Sequence, residues 1–207
     1  MYQAVFEIFP DTEVFGCRFH LGQAWYRKIP NLSYAPQFNS ANDDVGKWLV
    51  LIFGLPFFNP EEVAECFTKH FMADKPENAS ITEFCDYLID YYISNESIFP
   101  PKMWARQCSD RVHKKNACES FHLDFNSNFY HQHPNIFKII EILKLFKVNT
   151  YIKMRTAISN QTKPKISKKY AEKVDFITEK ISDYRTNKIS QYDYFKYLSY
   201  RNKTHKI

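Results

Sequence analysis

The sequence predicts a mainly α protein carrying one strand, and three observations predict it. Apolar residues recur at helical spacing along most of the chain, between Asn, Ser and Pro boundary signals. Only 4 of the 207 residues are glycine, too few for the many tight turns of an all-β fold. Hydrophobic residues make up 44%, with 19 Phe and 14 Tyr, enough to bury a core and to exclude wholesale disorder. By length the chain is about one domain, or two small ones.

Composition excludes several function classes. The glycines stand at 16, 22, 46 and 54, so no Gly-rich loop can cradle a nucleotide phosphate. The longest apolar run, Trp48 to Phe58, is broken by Gly54 and Pro56 and is shorter than the ~18 residues of a membrane span. The N-terminus, MYQAVFEIFPD, lacks a basic segment followed by a long apolar one, so no secretory leader is expected. The 5 cysteines, at 17, 66, 85, 108 and 118, are an odd number and widely spread. They read as reduced thiols of an intracellular protein, nuclear if it acts on DNA.

The elements follow in order. Tyr2 to Phe9 is a short helix stopped by Pro10. Thr12 to His20 has the β-branched and aromatic character of a buried strand. Leu21 to Ile29 is a helix ended before Pro30, and residues 31–44 are a polar loop. Val45 to Leu55 is an apolar helix. Asn59, Pro60 and Glu62 open the next as N-cap, N1 and N3. Ser80-Ile81-Thr82-Glu83 is a capping box. Met103-Trp104 opens a new segment, and Lys114 to Phe129 is a helix with Ala117, Cys118, Phe121 and Phe125 on its apolar face. A long helix runs from Pro134 to about Ile158 with Ile136, Ile139, Ile140, Leu143 and Phe146 as its core stripe. A linker at Lys163-Pro164-Lys165 precedes a last helix over 168–184 and a polar end. One strand cannot make a sheet, because its backbone groups need partners. It pairs with another chain, or its neighbours have been lost.

Charge is uneven. Residues 1–146 hold 13 Lys/Arg against 18 Asp/Glu, whereas 147–207 hold 15 against 5. The basic stretch interleaves Tyr170, Phe176, Tyr184, Tyr192, Tyr194, Phe195, Tyr197 and Tyr200, the mixture that neutralises phosphates and stacks bases. Lys163, Lys165, Lys168 and Lys169 are its nucleic-acid candidates. The bland alternative is a solvated helical face with a frayed tail.

Two constellations can carry chemistry. Asn116, Glu119 and His122 are spaced three apart on one helix face, with Lys115 as the local partner of the glutamate. As a metal ligand Glu119 needs other hard oxygen donors nearby; otherwise it is a salt-bridge residue. Cys17-x2-His20 has the spacing of two zinc ligands, and Cys118-x3-His122 that of two more. Against zinc stands a Cys17 that packs as a small apolar residue and a His20 that caps or hydrogen-bonds.

Four motifs in order carry a resemblance. They are FP-x5-GCRFHLGQAWYRKI from Phe9, LPFFNPEEV over 55–63, R-x4-NACESFH over 111–122 and HPNIFKIIEILK over 133–144. Together the motifs, within roughly 1–155, resemble the Mutator-like element (MULE) transposases. The resemblance implies a remnant of an RNase H-like α/β core, one strand with flanking helices, interrupted by a helical insertion. It divides the chain into 1–33, the end of that core; 34–110, the insertion; and 111–158, the helix of the third acid with a long helix after it; 159–207, a basic helical tail, lies beyond the resemblance.

In such transposases three acids hold two divalent metals, Mg²⁺ or Mn²⁺, for DNA strand cleavage and transfer. Glu119 matches the third acid, Cys17 and His20 the C-x2-H element that follows the second, and Asn116 and His122 the polar positions around the glutamate. Cys118 matches no position the family fixes. The first two aspartates would fall upstream of Met1, so the resemblance implies a truncated chain, inactive alone, binding no metal tightly. The alternatives are a DNA-binding or assembly module using the basic region, with a homo-oligomer through exposed apolar surface, and a fragment complementing a transposase chain that supplies the missing aspartates. No membrane partner is expected.

Overall fold

The computed structural model describes residues 7–8, 11, 15–107, 116–129, 133–160 and 167–203, without the side chains of 116–120, 122 and 157–160. These residues are mainly helical and include no strand. None of their helices is long and apolar enough to cross a membrane. The chain forms two compact units, Met1–Asp110 with Glu172–Ile207, and Arg111–Ala171.

In the first unit α1 spans Arg18–Asn31, with Leu21, Trp25 and Ile29 buried one turn apart. The strand expected over Thr12 to His20 does not form where it is described. Residues 15–17 have no regular structure, and 18–20 are the first turn of α1. A strand must satisfy its backbone groups with a neighbour. Here Gly16 N–H donates to the Met103 carbonyl at 2.6 Å, and the Cys17 carbonyl accepts Leu21 N–H at 3.0 Å, which starts a helix instead. Glu7 and Ile8 are helical; the remainder of the expected Tyr2–Phe9 helix lies outside the described residues.

The expected polar loop after α1 contains a short helix, α2 (Ala35–Asn39), because Phe38 turns inward and is fully buried. α3 (Asp44–Leu51) is capped by Asp43, whose carboxylate accepts Gly46 N–H at 2.8 Å. It runs into a 3-10 segment, Ile52–Phe57, with every residue buried. α4 (Pro60–Cys66) has the expected start, with Asn59 N–H donating to Glu62 Oε2 at 3.1 Å. It continues as a π-helical turn, Phe67–Phe71.

α5 (Ala79–Leu88) does not begin with the expected box at Ser80. Its N-cap is Asn78, whose side chain accepts Ser80 N–H at 2.9 Å, while Glu83 pairs with Lys28 at 2.7 Å. The competition between two cap candidates two residues apart is won by the one whose extended backbone leads into the helix. A second π turn, Ile89–Ile93, and α6 (Pro101–Trp104) follow.

The expected helix at 168–184 is α9 (Lys168–Arg185). Beyond it, where a polar end is expected, stands α10 (Gln191–Arg201), capped by Ser190. Tyr194, Phe195, Leu198 and Ser199 of α10 are fully buried. Tyr194 Oη donates to the Phe57 carbonyl at 2.7 Å and Ser199 Oγ to the Leu51 carbonyl at 2.6 Å, which fixes α10 on the 3-10 segment. Phe53, Tyr92 and Trp104 meet Trp25 in edge-on ring contacts of 5.5–6.2 Å, the aromatic centre of this unit.

In the second unit α7 spans Asn116–Ser127 and α8 spans Ile136–Asn160. Phe121 and Phe125 of α7 hold Phe146 of α8 at 5.3 and 5.8 Å. The expected core stripe of α8 is only partly so. Ile142 is its buried residue, Ile139 and Phe146 are half-buried, and Ile136, Ile140 and Leu143 face solvent. The helix is apolar on several sides, so periodicity does not single out which side is inward.

Candidate functional site

The C-x2-H element lies at the start of α1. Cys17 is the N-cap residue, in an extended conformation, and His20 stands one turn on. The segment is held from several directions. Arg18 donates to the Arg106 carbonyl and lays its guanidinium 4.5 Å from the Phe57 ring centre. Arg106 in turn covers Phe15 at 5.0 Å.

Cys17 and His20 line a cavity of about 180 Å³ whose remaining wall is mostly aromatic and apolar, with Tyr92, Phe99, Met103 and Trp104. Trp104 Nε1 donates to the Phe99 carbonyl at 2.8 Å and stiffens that wall. The lining sets one thiol and one imidazole a turn apart, with the Tyr92 hydroxyl bonded to Tyr87 at 3.1 Å. Cys17 is half-buried, whereas Cys66 and Cys85 are buried. Burial pushes the Cys66 thiol far above its ordinary range and the Cys85 thiol up to about 11, so both stay protonated and unreactive.

A tetrahedral zinc site takes four such donors. Among the described residues no three His, Cys, Asp or Glu side chains come together as a metal site. The Cys118 and His122 side chains of the expected quartet lie outside the described residues.

Glu119 lies on α7, with Asn116 and His122 three residues to either side on the same helical face by register. Their side chains, and Lys115, are outside the described residues. Thus Cys17 and His20 belong to one compact unit and Asn116, Glu119 and His122 to the other.

Of the nucleic-acid candidates, Lys168 and Lys169 are exposed at the start of α9, and Lys163 and Lys165 lie outside the described residues. The interleaved aromatics divide. Tyr194 and Phe195 are core residues. Tyr184 stacks on Tyr194 at 4.5 Å and donates to Glu62 at 2.8 Å; burial, then that bond, raises its hydroxyl to about 12. Tyr197 and Tyr200 are exposed.

Two clusters escape the sequence reading. On α9 and α10, Lys180 sits 5.6 Å from the Phe176 ring and 5.4 Å from Tyr197, while Arg201 covers Phe176 at 5.5 Å. Burial, and then Arg201, hold the nearby Lys173 ammonium below the usual lysine range. On α8, Lys144, Lys147 and Arg155 rise among Val148, Tyr151 and Ile152. Both join residues from different helical turns, and the first joins two helices, one of which the sequence does not announce.

No family model, no curated protein and no solved structure matches the chain.

Proposed function

We propose that residues 1–155 correspond to the later part of a MULE-type DDE transposase catalytic domain, from the C-x2-H element through the helical insertion to the helix of the third acid. The observation that carries the reading is the order of four motifs, GCRFHLGQAWYRKI, LPFFNPEEV, NACESFH and HPNIFKIIEILK, along one chain. A succession of helices over 35–104 is compatible with an insertion of the kind the family carries.

In that reading Glu119 is the last of three carboxylates. A two-metal centre is held by converging acids that set its two cations about 3.5–4 Å apart, and would supply both activation of the attacking oxygen and charge neutralisation at the leaving one. The residues present offer one matching acid, so the metal pair does not fit this chain by itself. Cleavage then needs the two aspartates from a preceding segment or from another chain.

The basic 147–207 region favours a second reading, a DNA-binding module that makes no cut. Its cations outnumber its acids 15 to 5, and Lys168 and Lys169 are exposed.

One experiment separates the two. The coding sequence is extended in frame upstream of Met1, and the product is incubated with supercoiled plasmid and Mg²⁺ or Mn²⁺. The first reading expects an upstream strand ending in Asp and metal-dependent nicking that Glu119→Gln abolishes. Salt-sensitive DNA binding with no nicking supports the second reading and removes the first. Nicking that survives Glu119→Gln also removes the first.

A further inference from the structure

Helix α8 is longer than the partner its own unit provides. Its 25 residues run about 38 Å at the helical rise, against about 18 Å for the 12 residues of α7. The α7 aromatics meet it at Phe146. Past that point Val148, Tyr151, Ile152 and Met154 are each 55–59% exposed. The first turns are no better covered, with Phe137 at 77%.

A helix on the surface of a globular unit shows one apolar stripe. With successive residues about 100° apart, Ile136, Ile140, Leu143 and Met154 fall on one side of α8, and Val148 and Ile152 on another. Neither side is the one that holds Phe146. Apolar character on several sides marks a helix that is buried in its working state.

We infer that α8 is a self-association surface, covered by the α7–α8 pair of a second copy of this chain in a two-fold, four-helix interface. Area and charge both point to that occupant. A standard interface takes roughly 800 Å² per partner, about 60% of it apolar. The 11 exposed large apolar side chains of α7 and α8 together offer at most roughly 1,100 Å², taking each at the roughly 100 Å² of a half-exposed aromatic. By the same measure the four residues of the Ile136 side offer about 400 Å² and Val148 with Ile152 about 200 Å², so both open sides are needed to reach that apolar area.

Within α8 five cations stand against one acid, whereas α7 carries Glu119 and Asp124 and no cation. Of the two-fold arrangements, the one that sets each α7 beside the other copy's α8 brings opposite charges together twice, whereas α8 on α8 would oppose cations, so charge selects the former. A nucleic acid would pair the cations and leave the apolar side chains in water. The inference is independent of the transposase reading, since it requires neither a metal nor strand cleavage.

The test is sedimentation of the full 207-residue chain over a concentration series, beside its helical circular dichroism. The wild type is expected at twice the 24.7 kDa of the chain. Ile152→Glu is expected to weaken association about tenfold or more, with helicity retained. Tyr151→Ser with Ile152→Ser, which removes apolar area without adding charge, is expected to weaken it in the same direction. Ile98→Glu, at an exposed site in the other unit, is expected to change nothing. A monomeric wild type overturns the inference. So does a dimer that Ile152→Glu leaves intact or that Ile98→Glu disrupts equally. Loss of helicity and melting temperature in both α8 variants, with the wild type a monomer, assigns the covered face to the chain itself.

Discussion

Gly54 is where a single hydrogen in place of a methyl decides whether α10 can dock. A Cβ there would overlap Ser199 Oγ and lie 2.5 Å from the Phe195 carbonyl oxygen, 3.0 Å from the Phe195 ring. Backbone cannot move aside as a flexible side-chain end can, so the strain is paid by separating α10 from the 3-10 segment. Ser199, which bridges to the Leu51 carbonyl, would lose its position with it. Gly54→Ala is therefore expected to cost about 2–3 kcal/mol, read as a lower urea midpoint at unchanged slope. Gly16→Ala serves as the contrast. Its Cβ would stand 3.4 Å from the Met103 carbonyl oxygen, close to ordinary contact, and the midpoint should move little. A loss at Gly16 as large as at Gly54 would mean that close approach is not what distinguishes the two glycines. Nothing in the sequence separates them, because a glycine's near neighbours are set by the residues that fold against it.

At the scale of elements, the start of α5 offers a direct comparison of two caps. Asn78 is extended and accepts Ser80 N–H, whereas Ser80 is already inside the helix. Asn78→Ala should lower stability by about 1 kcal/mol and Ser80→Ala by only a few tenths. Equal losses in thermal denaturation would restore the Ser80 cap that the sequence favours. The sequence marked most helices correctly where a cap and a stripe agree, as at Asn59-Pro60-Glu61-Glu62 ahead of Val63 and Cys66. It went astray where two cues compete.

Val14, Phe15 and Phe19 suggest a strand, yet the described part of that segment has no ladder partner and turns into α1. In Gln191 to Arg201 the tyrosines alternate with charges in a basic stretch and read as base-stacking groups. The inward spacing of Tyr194, Phe195 and Leu198 emerges only once the Ile52–Phe57 segment is in place to receive them. Of the candidate site, the one-turn separation of Cys17 and His20 was legible from spacing. Their aromatic cavity was not, because Tyr92, Phe99 and Trp104 come from segments more than 70 residues away.

The first unit carries a bias against alkaline conditions, because buried and half-buried thiols and phenols are dispersed over α4, α5, α9 and α10. Burial raises Cys66 and Cys85 above the ordinary 9.0, and Tyr87, Tyr184 and Tyr194 above 10.0. The folded state keeps these protons after the unfolded chain has released them. The native state then binds more protons than the unfolded one, and stability falls as pH rises through that interval. The loss begins near the unfolded values, about 9 for Cys85, and continues until the folded groups ionise, near 11 for Cys85 and 12 for Tyr184. Lys180 works in the same direction, since its bond to Glu179 first and Asp183 after holds its proton in the folded state. Lys173 and Lys203 oppose the trend. Burial lowers both, so each loses its penalty as it discharges below 10.5. Two lysines stand against three tyrosines, two cysteines, Lys180 and Lys47, whose bond to Asp44 raises it, and the net expectation is a urea midpoint that is flat between about pH 7 and 8 and declines steadily above 9. Tyr184→Phe should remove part of the decline, because phenylalanine has no proton to release, while the lost hydrogen bond to Glu62 lowers the midpoint already at pH 7. A midpoint that rises from pH 9 to 10.5 would show that the two lowered lysines dominate, and that the phenols and thiols of the core are more open to water than their packing indicates.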